Sequence, residues 1–128
     1  MKKDRAAVLG LTVWMVLVSV CPIWGATGWV REGETWYYYK SDGTLAHDQW
    51  VKSGDSLFWI QGDGTMAVSA WMEMEGNLYW LDASGIAATG WQEIDGKWYY
   101  FDENHTMATE TYVGSYYVGK DGAWIPEK

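Results

Sequence analysis

Four tryptophans, Trp29, Trp50, Trp71 and Trp91, recur at intervals of 21, 21 and 20 residues. An aromatic or apolar tetrad follows each: Trp36-Tyr37-Tyr38-Tyr39, Leu57-Phe58-Trp59-Ile60, Leu78-Tyr79-Trp80-Leu81 and Trp98-Tyr99-Tyr100-Phe101. A weaker fifth, Ser115-Tyr116-Tyr117-Val118, follows Tyr112. From Thr27 onward there are twenty aromatic residues, nine of them tryptophan, more than a core of this size requires. Ring faces carry negative potential, so three rings walling a shallow pocket suit a quaternary ammonium such as choline. The same rings could stack on the apolar faces of sugars, and physics alone does not separate the two ligands.

Catalytic chemistry needs convergent groups, and the sequence offers none. His47 and His105 fall in loop positions of different units with no cysteine or third histidine nearby, which argues against zinc. Neither a G-x-S-x-G nucleophile motif nor a G-x-x-x-x-G-K phosphate loop occurs. Asp42, Asp63 and Asp121 recur at one repeat position, as turn formers do, and no unit concentrates carboxylates at calcium-ligand spacing. The expectation is a non-enzymatic binding protein without metal or cofactor.

Charge narrows the partners. Residues from Thr27 onward carry six Lys or Arg against sixteen Asp or Glu, 6 − 16 = −10. Phosphate binding depends on clustered cations, so nucleic acid and anionic membrane surfaces are excluded. A cationic or neutral ligand fits this field.

The rings must be positioned by strands. Glycines at 33, 54, 76, 96 and 114 follow the opening segment of each unit, and a second turn closes it at Asp42-Gly43, Asp63-Gly64, Ser84-Gly85, Asn104-His105 and Asp121-Gly122. Where His105 replaces glycine, Asn104 is expected to take the left-handed conformation. Each unit therefore reads as strand, glycine turn, strand, turn. A lone hairpin is not stable in water, whereas stacked hairpins bury one aromatic row on the next. The expected fold is an all-β solenoid of stacked β-hairpins, with units 28–48, 49–69, 70–89 and 90–109 and a degenerate capping unit 110–128. Alternation sends Tyr37, Tyr39, Phe58, Ile60, Tyr79, Leu81, Tyr99 and Phe101 to one face, and Trp36, Tyr38, Leu57, Trp59, Leu78, Trp80, Trp98 and Tyr100 to the other. About half of the aromatic positions are expected simply to be core.

Residues 1–26 have a different character. Lys2, Lys3 and Arg5 precede an uncharged apolar run from Ala6 to Val20, and Gly25 and Ala26 follow Pro22. This is the tripartite shape of a removable secretory signal, leaving 27–128 as the binding domain. If retained, Ala6 to Trp24 is just long enough for a membrane anchor. Cys21, the lone cysteine, sits within the signal, so the mature chain has no internal disulfide; bulky Val20 before it argues against acylation.

The units Gly28-Trp29 with Trp36-Tyr37-Tyr38 and Asp42-Gly43-Thr44-Leu45, and Gly90-Trp91 with Trp98-Tyr99-Tyr100-Phe101 and Thr106-Met107-Ala108-Thr109, resemble the choline-binding, or cell-wall-binding, repeats of Gram-positive surface proteins. The resemblance implies a hairpin solenoid that docks on choline-decorated teichoic acid or another wall polysaccharide, at the cell surface or secreted. It implies a cage made of the opening tryptophan, the first tetrad tryptophan and an aromatic of the next unit. Carried over, Trp29 and Trp36 take Trp59 as third wall, and Trp91 and Trp98 take Tyr117. In the middle units Leu57 and Leu78 replace the tetrad tryptophan, leaving Trp50 with Trp80 and Trp71 with Tyr100. Related glucan-binding and toxin-receptor repeats bind carbohydrate instead, and such repeats are also appended to wall hydrolases. Terminal repeats of the family often form homodimers, which the aromatic rows would permit.

Overall fold

The computed structural model describes residues 27–128. The expected signal segment lies outside them. Among the described residues every regular element is a strand: β1 (Gly28–Glu32), β2 (Thr35–Tyr39), β3 (Gln49–Ser53), β4 (Ser56–Ile60), β5 (Ala70–Met74), β6 (Asn77–Leu81), β7 (Gly90–Ile94), β8 (Lys97–Phe101), β9 (Thr111–Val113) and β10 (Tyr116–Val118). Consecutive strands pair two by two into five hairpins, so the all-β repeat fold expected from the sequence is the fold found.

Two-residue loops set the register. Gly33 (φ 66°), Gly54 (φ 62°) and Gly114 (φ 63°) take the first loop position, whereas Glu75-Gly76 (φ 52° and 85°) and Asp95-Gly96 (φ 53° and 83°) are left-handed at both. These are the φ signs of the primed turns whose twist matches that of paired strands. The resulting register sets Trp29 opposite Tyr38, Trp71 opposite Trp80, Trp91 opposite Tyr100 and Tyr112 opposite Tyr117.

The described residues form two compact units, one of residues 27–53 with Trp59–Ala67, the other of Gly54–Phe58 with Val68–Lys128. In the first, Ala46, Val51 and Ile60 make a core covered by Trp29, Tyr38 and Met66. In the second, Ala88, Ile94 and Phe101 do so beneath Trp80, Tyr99 and Met107. The last tetrad residue is fully buried at Ile60, Leu81, Phe101 and Val118.

From the second unit on, the segment after the second turn returns as a connector that bonds in two directions. Met66 N donates to Trp36 O (2.9 Å), Ala87 N to Leu57 O (2.8 Å), Met107 N to Leu78 O (2.9 Å) and Trp124 N to Trp98 O (2.8 Å), each a carbonyl of the preceding hairpin. The next residue donates to its own hairpin: Ala67 N to Trp59 O (2.9 Å), Ala88 N to Trp80 O (2.8 Å), Ala108 N to Tyr100 O (2.8 Å) and Ile125 N to Tyr117 O (2.9 Å). Successive backbone groups of an extended segment point to opposite sides, which makes this double attachment available to any sequence.

Aspartates hold the second turns. Thr44 N (2.9 Å) and its hydroxyl (2.6 Å) donate to Asp42 Oδ1, Thr65 does the same to Asp63 (3.0 and 2.6 Å), and Ala123 N donates to Asp121 (3.0 Å). In the third and fourth units the aspartate sits two residues earlier, where Asp82 accepts from Ser84 N and Ile86 N and Asp102 from Asn104 N and Thr106 N. His105, not Asn104, takes the left-handed position (φ 70°), because it occupies the place that glycine holds in the other turns.

The Thr44 and Thr65 hydroxyls and amides hold Asp42 and Asp63 below the ordinary carboxylate value. Burial pushes Asp102 upward, but bonds from Thr106 and Asn104 outweigh it and leave its carboxyl lowered too. A carboxylate with a lowered folded pKa stabilises fully above its unfolded value of about 4 and loses that contribution as pH falls through the folded value. Urea midpoints are therefore expected to be level from pH 7 to 5 and to fall below about pH 4, with a shallower fall when Asp42, Asp63 and Asp102 are all changed to Asn.

At Gly64 (φ 89°) a Cβ would also stand 2.8 Å from Leu45 Cδ2. Gly64→Ala is expected to cost about 1–2 kcal/mol, read as a lower midpoint in thermal or urea unfolding.

Candidate functional site

Hairpins that repeat in one orientation present a front to the next hairpin and a back to the previous one. In the second compact unit the front carries Trp71 and Trp80 on one hairpin and Trp91, Trp98 and Tyr100 on the next, since Glu93 pairs with Trp98 and Trp91 with Tyr100. The back carries the second and fourth tetrad residues. Trp71 accordingly meets Tyr99 (5.1 Å between ring centroids) and Phe101 (6.0 Å), and Trp91 meets Tyr116 (5.8 Å, interplanar angle 83°).

The Trp91–Tyr116 contact is one side of a cleft of about 350 Å³ lined by Trp91, Trp98, Tyr116 and Trp124. That size lies at the lower end of small-ligand pockets. Trp124 stands perpendicular to Tyr116 (5.7 Å, 85°), and its amide donates to Trp98 O across the cleft floor. It occupies the connector position that Leu45, Met66, Ala87 and Met107 hold elsewhere, each bridged to its own tetrad's last residue. Trp98 is 40% and Tyr116 50% exposed, so ring faces stay open to solvent. Glu93, exposed, pairs with Trp98 across the hairpin.

The other expected walls fall elsewhere. Tyr117 lies on the front of its hairpin, 5.0 Å from Tyr112, with Lys128 Nζ 5.3 Å from its ring, while Tyr116 supplies the wall in its stead. Tyr100 packs on Trp91 of its own hairpin (5.3 Å). Trp59 packs on Trp50 (5.1 Å) and Trp80 on Trp71 (5.3 Å), again within hairpins. The sequence reading drew third walls from the front set, but a front meets the back of its neighbour. Tyr116 was legible as the counterpart of Tyr99. Trp124 carried one signal, its place two residues after the second-turn glycine, aligned with Met66 and Met107.

In the first hairpin Trp29 stands perpendicular to Trp36 (6.3 Å, 87°) and packs on Tyr38 (5.1 Å). Arg31, opposite Trp36 in the register, sets its guanidinium carbon 5.9 Å from the Trp36 ring centroid while its Nε donates to Gly33 O (2.8 Å). His47 pairs with Asp48 (3.2 Å) in solvent, and His105 Nδ1 lies 3.3 Å from Ala87 O. Among the described residues no group of three or more His, Cys, Asp or Glu could hold a metal ion, and no helix is long and apolar enough to cross a membrane.

Comparison with known proteins fits this geometry. Residues 88–125, the stretch that builds the cleft, match the choline-binding repeat family, and residues 27–45 match the cell wall binding repeat family. These two stretches are choline-binding, or cell-wall-binding, repeats. Members of that family carry these repeats as non-catalytic binding modules. The chain is similar to the structure of CbpJ from Streptococcus pneumoniae TIGR4, with 33% identity and a TM-score of 0.71, over 78% of this chain and 34% of that one. It is similar to choline binding protein F from Streptococcus pneumoniae, solved in the presence of a peptidoglycan analogue, with 31% identity and a TM-score of 0.69, over 78% and 33%. A pneumococcal cell wall endolysin from phage Cp-1, complexed with choline, gives 25% identity and a TM-score of 0.65, over 78% and 31%. The chain spans about a third of the length of these proteins. No curated protein sequence matches it.

The repeat geometry separates the two neighbouring tyrosines. Tyr116→Ala is expected to abolish most of the tryptophan fluorescence change produced by tetramethylammonium, whereas Tyr117→Ala leaves it within about twofold of the parent, since it removes a ring outside the cleft.

Proposed function

We propose that this choline-binding repeat protein is a non-catalytic wall-binding module that holds choline on teichoic acid between successive hairpins. The observation that carries the reading is the four-ring cleft of Trp91, Trp98, Tyr116 and Trp124. A trimethylammonium group offers its methyl groups to ring faces on several sides, and indole faces are the strongest partners for it. Glu93, paired with Trp98 across the hairpin, and the net charge of the chain favour a cation further. Support also comes from the similar endolysin that was solved with choline.

The domain reading follows: residues 1–26 export the chain, 27–128 bind, and the protein resides on the wall or in the medium. Trp29 with Trp36, and Trp71 with Tyr99 and Phe101, are further aromatic surfaces, with Leu57 and Leu78 leaving the middle units short of a ring. The family's association with hydrolases makes service to a separate catalytic partner part of this reading.

Retention on a tertiary-amine resin with release by free choline is the expected behaviour. Trp98→Ala is expected to weaken choline by about 1–2 kcal/mol, roughly tenfold, in a calorimetric titration. Passage straight through the resin together with binding to dextran would replace choline by a glucan-type carbohydrate.

A further inference from the structure

Two hairpins carry both the opening tryptophan and a tryptophan at the first tetrad position, and access does not distinguish them: Trp36 is 37% exposed and Trp98 40%. Charge does. The residue facing the tetrad tryptophan across the hairpin is Arg31 in the first and Glu93 in the fourth. Arg31 lies on the Trp36 ring, 5.9 Å from its centroid, and is steadied there by its Nε bond to Gly33 O (2.8 Å). A guanidinium stacks on an indole face by the same attraction that draws a quaternary ammonium there. One face cannot take both, and two like charges at that separation repel.

From this contrast we infer that Arg31 is a specificity-determining residue that occupies the Trp36 face as a built-in competitor, so that free quaternary ammonium enters the Trp91/Trp98 cleft and not the Trp29/Trp36 surface. The same device recurs at the other end of the described chain, where Lys128 covers Tyr117, a ring that the cleft does not use. The chain's own cations thus stand over two rings outside the cleft, Trp36 and Tyr117, and a carboxylate residue faces Trp98 across its hairpin. This inference rests on the cleft being a quaternary-ammonium site.

The test is a choline chloride titration of the full chain labelled with ¹⁵N-tryptophan, following the indole N–H signals of Trp36 and Trp98 separately. In the parent, Trp98 is expected to shift and saturate while Trp36 stays within the error of a salt control. In Arg31→Gln, Trp36 is expected to join the titration, shifting and saturating with choline as Trp98 does. Glu93→Arg, which carries the competitor into the fourth hairpin, is expected to weaken the Trp98 response by about twofold or more, and Glu93→Gln by less. Trp36 and Trp98 titrating together in the parent, or Arg31→Gln leaving Trp36 silent, would overturn the role of Arg31 while the cleft assignment stands. A Trp98 signal that fails to move in any variant would instead overturn the cleft assignment itself.

Discussion

One backbone hydrogen bond per repeat governs the placement of everything else. An extended connector gives one amide to the hairpin before it and the next amide to its own hairpin, as Trp124 and Ile125 do toward Trp98 and Tyr117. Because neither bond involves a side chain, the double attachment forms whether the connector carries methionine, alanine or tryptophan. A leucine in place of a tetrad tryptophan, as at Leu57 and Leu78, therefore removes a ring without altering the scaffold.

The attachment also decides which rings meet. In the second compact unit front meets back, so the cleft takes two walls from one hairpin and the others from the next. Trp71 meets Tyr99 and Phe101 of the following hairpin, as Trp91 meets Tyr116. At the fourth step Trp124, a connector residue, stands against Tyr116, and the pair holds the cleft open above Trp98. The full set of walls belongs to a junction between repeats and not to any repeat by itself.

The hairpins, their glycine loops and the split of each tetrad between two faces were legible in the sequence because they follow from local chemistry: period-two alternation, positive φ at glycine and aspartate turns. What lies between repeats was less legible. Tyr116 and not its neighbour Tyr117 lines the cleft, since in a strand one residue reverses the face. Trp124 was overlooked because connectors form isolated bridges and not full strands, so no periodicity marks them. His105 adopts the glycine conformation since the turn's fixed closure, and not the intrinsic tolerance of Asn104, selects the left-handed position. Arg31 and Glu93 stand at equivalent repeat positions, but their meaning depends on which ring lies opposite, and that is set by pairing register.

An attachment shared by two hairpins has a mechanical side. Repeats held mainly by their neighbours come apart one at a time from an end. Tyr116 and Trp124 belong to the last described hairpin and its connector, while Trp91 and Trp98 belong to the one before. Peeling that last hairpin away therefore dismantles the cleft, and a ligand seated in it acts as a rivet across the seam, tightening the same joint through which a pull on the chain would begin to open it.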